Sequence, residues 1–336
     1  MSSGTSRSRR KRIALAAIAL LLLGFLGLNV LAYHHARVML HFTTGGERTR
    51  PPESLSRLQR VLTLIVGVTI PKPRCTATPA ELSLPFETCL IPAADGGTLE
   101  AWHIPHPVAK GTVILFHGYS ACKSSLLAEA KCFHEMGYGC WLVDFRGSGG
   151  SSGDDTTVGF REATDVARAV QFVRESDASG APLVLYGKSM GGVAILRAIA
   201  VHGVRPQGII VEAAFDTMLN TVRNRFHLMG IPSFPSAELL VFWGGRQTGF
   251  PAFRHDAVEY ARQVDCPVLM LHGAEDPRAT VEQARRVFAA LPGPKTFVVF
   301  DHATHESCLA VEPERWESAA REHLAKCDGA GRNGDR

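Results

Sequence analysis

The sequence predicts an α/β fold: a three-layer sandwich around a mainly parallel, eight-stranded sheet, with helices on both faces, one cap insertion, and an apolar helix at the amino terminus. Three observations predict it. From about residue 84 onward, short β-branched runs alternate with longer stretches of helical spacing, the order that successive crossovers give a parallel sheet. Two of these runs, Val113–Phe116 and Leu183–Leu185, are apolar at every position, as strands buried on both faces are. Finally, 336 residues with 46% hydrophobic and 20% charged side chains can bury a large core and are too apolar for a disordered chain.

The amino terminus comes first. Arg7, Arg9, Arg10, Lys11 and Arg12 lie among the first twelve residues, which hold no acid, so the formal charge of +4 is local and the remaining chain is slightly acidic. A nucleic-acid footprint is therefore not expected. Residues 13–32 carry no charge and include eight leucines, enough to cross a hydrocarbon layer about 30 Å thick at about 1.5 Å per residue. We read residues 1–12 as a basic cytoplasmic tail and 13–32 as a signal-anchor. The chain is then a single-pass protein of the cell inner membrane with its bulk outside the cytoplasm. The competing reading is a cleaved signal peptide ending at the small residues Val30 and Ala32, although such apolar regions usually run about 7–15 residues.

Residues 33–83 read as a tether. Gly45-Gly46 and Pro51-Pro52 are breakers, a short helix fits 53–60, and Val61–Ile70 is an apolar run too short to span, which lies on the membrane or packs on the domain. Residues 84–327 form the main domain. Strands are predicted at Phe86–Ile91, Leu99–Ile104, Thr112–Phe116, Gly139–Val143, Leu183–Tyr186, Gly208–Val211, Val268–Leu271 and Thr296–Phe300, the first two as an antiparallel pair. Helices are predicted at Ser124–Met136, Phe160–Glu175, Met190–Val201, Ala257–Gln263, Val281–Ala290 and Pro313–Lys326, ahead of a disordered tail at 328–336. One connection is anomalous: residues 216–254 far exceed a normal strand-to-helix loop and read as a cap. Six aromatics fall in its 37 residues from Thr217 to Phe253, with Glu238 the one acid, and Phe226, Phe234, Phe242 and Trp243 are expected to contact substrate.

Eight cysteines could pair in an exported domain, but several sit beside apolar runs where a thiol acts as a small hydrophobe. There is no CxxC and no zinc-type thiolate spacing.

Two segments match G-x-S-x-G. Gly149–Gly153 follows an Arg-Gly loop and runs into Asp154-Asp155, whereas Gly187-Lys188-Ser189-Met190-Gly191 links an apolar strand to a helical run. Context favours Ser189. A nucleophile at a sharp strand-to-helix corner needs neighbours without side chains, and the helix start offers N–H groups, that of Met190 among them, to developing negative charge. A hydroxyl also needs a base, and the base a carboxylate, in the order Ser, acid, His. His272-Gly273-Ala274-Glu275-Asp276 follows one later strand and Asp301-His302-Ala303-Thr304-His305 the next, both at the sheet edge where open α/β folds carry their sites.

With His117-Gly118-Tyr119 after one buried strand and Asp144-Phe145-Arg146-Gly147-Ser148-Gly149-Gly150-Ser151 after the next, the motif order over about residues 84–326 resembles the α/β-hydrolase superfamily. The likeness is to its bacterial esterase, monoacylglycerol-lipase-like and serine-aminopeptidase-like branch. The resemblance implies Ser189 as nucleophile, Asp276 as acid, His305 as base, and the Tyr119 and Met190 amides as oxyanion donors, with no metal or organic cofactor. Glu275 and Asp216 are the other acids in suitable places. His302 is the other histidine, and it and Thr304 replace two glycines that relatives usually carry. A metal reading of Asp301, His302 and His305 lacks a further ligand. Asp144 and Arg146 are expected to organise their loop through backbone contacts and an ion pair.

The function expected is a membrane-tethered serine hydrolase acting on acyl esters or lipids through an acyl-enzyme. A serine peptidase of the aminopeptidase type and a catalytically silent binding module are the alternatives. That Thr217 to Phe253 offers Glu238 alone as a carboxylate weighs against capture of a free peptide amino terminus.

Overall fold

The computed structural model describes residues 3–50, 54–177 and 180–331. The sheet contains β1 (Glu87–Pro92), β2 (Thr98–Ile104), β3 (Thr112–Phe116), β4 (Gly139–Val143), β5 (Leu183–Lys188), β6 (Gly208–Glu212), β7 (Val268–Gly273) and β8 (Lys295–Phe300). The strand order is β1-β2-β4-β3-β5-β6-β7-β8. The β1–β2 and β2–β4 pairs are antiparallel and every other pair is parallel. The eight-stranded, mainly parallel sheet read from the sequence is thus the sheet observed.

The helices in chain order are α1 (Ser3–Leu40), α2 (Arg57–Val66), α3 (Leu127–Glu135), α4 (Glu162–Ser176), α5 (Met190–His202), α6 (Met218–Met229), α7 (Ser236–Thr248), α8 (Ala257–Ala261), α9 (Val281–Ala290), α10 (Cys308–Val311) and α11 (Pro313–Gly331). The central strands explain why the run patterns are continuous. In β3, Ile114 and Phe116 enter one apolar layer with α4 and α5, while Val113 and Leu115 enter the opposite layer with α3 and α11. Each such fully buried side chain contributes about 1.5–3 kcal/mol relative to exposure. A smaller third cluster, including Met218, Val222, Ala237, Val241 and Phe250, is the core of the cap formed by α6 and α7.

Two expectations about the ends change. α1 begins at Ser3, so the basic stretch belongs to one helix with the apolar one, and α11 continues to Gly331 into the stretch expected to be disordered. Residues 332–336, and the breakers Pro51 and Pro52 with Glu53, lie outside the described residues. α1 is long and apolar enough, by length and composition, to cross a membrane.

The segment expected to be a tether is docked instead. Ala32, Ala36 and Leu40, spaced by four, are buried on one helical face. The Trp243 Nε1–H donates to Asn29 Oδ1 at 3.2 Å and the Gln247 amide to the Tyr33 carbonyl at 2.8 Å, so α7 grips the end of α1. Beyond it, Phe42 N–H bonds to the Asp154 carbonyl and Thr43 N–H to that of Ile70. The helix expected at 53–60 forms later, with Ser56 and Gln59 closing a capping box at its start and the helix taking up most of the apolar run after residue 60.

Candidate active site

Strand β5 delivers Ser189 into a strained turn. Its φ of 51° and ψ of −114° place a non-glycine residue where L side chains rarely sit, at a cost of about 1–3 kcal/mol. The corner is held because the Ser189 N–H donates to the Glu212 carbonyl of β6 at 2.7 Å. Its glycines are required by contact: a Cβ on Gly191 would lie 2.3 Å from the Phe116 carbonyl oxygen, and one on Gly187 would lie 2.6 Å from the Gly191 carbonyl carbon. Met190 opens α5, so its N–H has no carbonyl one turn back within the helix.

Asp276 follows β7 and His305 follows β8. His305 Nδ1 lies 2.7 Å from Asp276 Oδ2, while Oδ1 accepts the Arg278 N–H at 2.8 Å and the Ala279 N–H at 3.0 Å. Burial alone would raise the Asp276 carboxyl, but the His305 bond and charge and the Ala279 N–H hold it below its ordinary value, so it is ionised near neutral pH. An ionised Asp276 accepts from an Nδ1–H, which leaves Nε2 of a neutral His305 as the basic nitrogen. His305 and Ser189 line the same cavity, of about 630 Å³.

The alternative acids and histidine do not share this arrangement. Glu275 and His302 are exposed. Asp216 is buried but accepts from Arg286 at 2.6 Å and from the Asn220 amide at 2.9 Å, joining α6 to α9. His272 lies 3.8 Å from Asp276 and bonds through Nε2 to the Ala279 carbonyl at 2.7 Å; burial pushes its imidazole below the usual range.

The turn carrying Tyr119 lies against the serine: a Cβ on Gly118 would be 3.6 Å from Ser189 Cβ. Fully buried His117 fixes this turn. Its Nδ1 bonds to the Gly118 carbonyl at 2.8 Å and its Nε2 accepts the Phe145 N–H at 3.1 Å, so it is neutral, and burial lowers its pKa. The Tyr119 hydroxyl donates to the Met39 carbonyl at the end of α1, 2.5 Å away, and burial pushes its pKa up to about 12.

Asp144 and Arg146 organise their loop as expected. Asp144 accepts from Lys123 N–H at 2.7 Å, Lys123 Nζ at 2.5 Å and Gly150 N–H at 3.0 Å, and Arg146 makes a bidentate pair with Asp165. The second G-x-S-x-G match is a structural serine: buried Ser151 donates to the Asp144 carbonyl at 2.7 Å and accepts the Glu100 N–H at 2.9 Å.

Of the four cap aromatics expected to contact substrate, Phe226 lines the cavity. Phe234 is 76% and Phe242 45% exposed, and Trp243 is committed to α1 through Asn29 and an edge-on contact with Tyr33 at 5.4 Å. Aromatic enrichment reported an apolar cap but not which helix face meets the cavity. The missing walls come from the amino-terminal segment, with Leu28, Leu31 and Met39 of α1, Leu64 of α2, and Val68 and Ile70 beyond it.

Sequence reasoning also missed Glu212. Fully buried at the end of β6, it accepts from the Cys308 N–H, the Tyr186 hydroxyl and Trp316 Nε1, each at 3.0 Å, with Lys188 Nζ 3.9 Å away. A lone acid closing the apolar run Ile209-Ile210-Val211 was the available signal. Buried Glu129, bonded by Ser307 Oγ at 2.7 Å, lies close enough for the Glu212 charge to act on it; burial first and that charge second raise its pKa. Among the described residues, Cys75, Cys122 and Asp144 converge as possible metal donors, but both Asp144 oxygens already hold Lys123.

Residues 107–230 match the model of a family described as Serine aminopeptidase, S33. YqkD of Bacillus subtilis is 23% identical over 70% of this chain and 78% of its own length. Protein bem46 of Schizosaccharomyces pombe is 23% identical over 69% of this chain and 75% of its own. Among solved structures, the esterase Pf2001 of Pyrococcus furiosus superposes with a TM-score of 0.65 at 22% identity, covering 84% of this chain and 99% of that one. The esterase EaEST of Exiguobacterium antarcticum gives 0.54 at 19%, covering 71% and 100%.

Proposed function

We propose that the chain, which has the fold of the α/β-hydrolases it resembles, is a serine hydrolase that cleaves carboxylic esters through an acyl-enzyme and is held at a membrane by α1. The observation that carries this reading is the 2.7 Å bond between ionised Asp276 and His305 beside a cavity that Ser189 also lines.

In this reading Ser189 Oγ attacks the ester carbonyl while His305 Nε2 takes its proton, and Asp276 stabilises the resulting imidazolium. The Tyr119 and Met190 N–H groups receive the oxyanion, a contribution of about 3–4 kcal/mol per donor at such sites. The alcohol leaves with the proton from His305, and water activated by the same nitrogen then releases the acid and restores Ser189. An ester fits better than a peptide with a free amino terminus. Among the described residues no Asp or Glu lines the cavity, which favours an ester over an ammonium-bearing substrate, and the cap's Glu238 is paired with Arg223. The α1 helix supports a single-pass anchor with the amino terminus in the cytoplasm and the domain across the inner membrane.

The test uses the full chain in detergent or nanodiscs, because α1 and α2 wall the cavity. Wild type is expected to react with a fluorophosphonate and to hydrolyse p-nitrophenyl esters, and Ser189→Ala to do neither. Turnover that survives the substitution refutes the mechanism, and wild type that neither labels nor turns over refutes the hydrolase reading.

A further inference from the structure

The cavity presents two chemistries. One is hydrocarbon, contributed by Leu28 and Leu31 of α1, Leu64 of α2, and Ile231 and Leu240 of the cap. The other is cationic: Arg48, Arg50, Lys188, Arg225 and Arg278 all line it. Several of these cations are tied to the reacting end. Arg48 Nη1 donates to the carbonyl of Ser120, next to Tyr119, at 3.0 Å, and the Arg225 guanidinium stands 5.7 Å from the Tyr119 ring centre. Lys188 precedes Ser189, and the Arg278 N–H is bound by Asp276.

The hydrocarbon wall is continuous with the helix long enough to span a bilayer. Leu28 and Leu31 belong to the apolar stretch of α1, whose preceding residues Leu20 to Leu23 are 64–74% exposed. Helix α2 has the form of an interfacial helix. It lends Thr63 and Leu64 to the cavity while Leu58, Val61, Leu62, Ile65 and Val66 point outward, 50–72% exposed. The apolar lining from α1 and α2 thus borders the helix surface that a bilayer would surround, and a leaflet lipid whose acyl chain lay along that lining would bring its polar part among the arginines.

Resting on the hydrolase reading, we propose that the substrate is a membrane lipid whose acyl ester joins a phosphate-bearing alcohol, with the phosphate held by the arginines around the Tyr119 turn. Guanidinium groups suit this task because their planar forks bind phosphate oxygens in pairs. The bond broken is the carboxylic ester, and the phosphate stays on the alcohol that leaves.

The experiment compares three substrates of one acyl chain with the full-length protein in nanodiscs: palmitoyl lysophosphatidylglycerol, palmitoyl lysophosphatidylcholine and monopalmitoylglycerol. We expect kcat/KM for the phosphate esters to exceed that of the glyceride at least tenfold. Arg48→Gln and Arg225→Gln should each reduce that ratio at least fivefold, and Arg262→Gln on the outer surface should leave it unchanged. Fluorophosphonate labelling of each variant confirms that Ser189 remains reactive. If labelled wild type cleaves the glyceride as fast as the phosphate esters, or if the ratio survives in both arginine variants, the phosphate assignment falls and the hydrolase reading stands. If wild type neither labels nor cleaves any of the three, the hydrolase reading itself falls.

Discussion

Glu212→Gln isolates how the fold holds its histidine. The two carboxylate oxygens divide their work: Oε2 accepts from the Tyr186 hydroxyl and Trp316 Nε1, and Oε1 accepts the Cys308 N–H that anchors the loop leaving His305. Glutamine has the same shape but one acceptor oxygen. With that oxygen kept between Tyr186 and Trp316, its NH2 group faces the Cys308 N–H, donor against donor. A buried donor left without a partner costs about 1–3 kcal/mol, so a loss of about 2 kcal/mol is expected, centred on the His305 loop. In a domain of this size that lowers Tm by roughly 4–8 °C. If the same free energy is spent displacing the loop, the properly placed His305 population falls by up to about 30-fold. The assay is the rate of fluorophosphonate labelling beside a thermal melt, with the loss expected in kcat and KM little changed. A melt lowered as calculated with an undiminished labelling rate would refute a positioning role, and an unchanged melt would refute the bond's contribution altogether.

Three further outcomes follow from the same geometry. Replacing His305 with Ala should abolish labelling, Asp276→Asn should slow it by about 10⁴-fold, and His302→Ala should leave it within about twofold, since exposed His302 serves neither Ser189 nor Asp276; a worse defect at 302 reverses the assignment. The raised pKa of Glu129 means that the folded chain holds this proton more tightly than the unfolded chain does, so its contribution to stability is complete below the ordinary value of 4.5 and is lost as pH rises through the higher one. Glu129→Gln, which keeps an acceptor for Ser307, should therefore gain more Tm over wild type at about pH 8 than at about pH 5, and equal shifts would refute the linkage. Cys75 and Cys122 lie Sγ to Sγ at 2.7 Å, and the Cys75 S–H donates to Cys122, lowering the Cys122 thiol to about 7 while its own is raised. In an oxidising compartment, where a protein disulfide can accept two electrons and two protons, non-reducing peptide mapping should find Cys75 joined to Cys122; two alkylatable thiols in protein recovered from the cell envelope would refute the extracytoplasmic placement of this pair.

What the sequence made legible was local. β3 and β4 match their expected bounds because each is an unbroken apolar run entered from a glycine or a threonine, and burial on both faces leaves no other reading. The placement of Ser189, Asp276 and His305 at one edge was legible for a related reason: Ser189 follows β5 at once, Asp276 comes three residues after β7 and His305 five after β8, so the parallel sheet brings all three loops to the same edge. What was illegible depended on pairing between distant segments. Hydropathy marks residues 13–32 as one block, yet Asn29 already answers to Trp243, more than two hundred residues later, and the buried spacing of Ala32, Ala36 and Leu40 has meaning only once α7 is opposite it. Of the cap aromatics, Phe226 lines the cavity as expected, but Trp243 is turned towards α1, and much of the cavity's apolar wall comes from α1 and α2. The consequence is physical. A helix that reads as a leash is a wall of the site, so removing residues before 72 would strip apolar surface from the cavity and expose Tyr119, whose hydroxyl would lose the Met39 carbonyl. Detached from α1, the domain should keep its Asp276–His305 pair, which depends on β7 and β8, but lose selectivity for long acyl chains, so its rates with butyryl and palmitoyl esters should converge. A truncated chain that still prefers the long ester as strongly as the full one would show that α1 is only a leash after all.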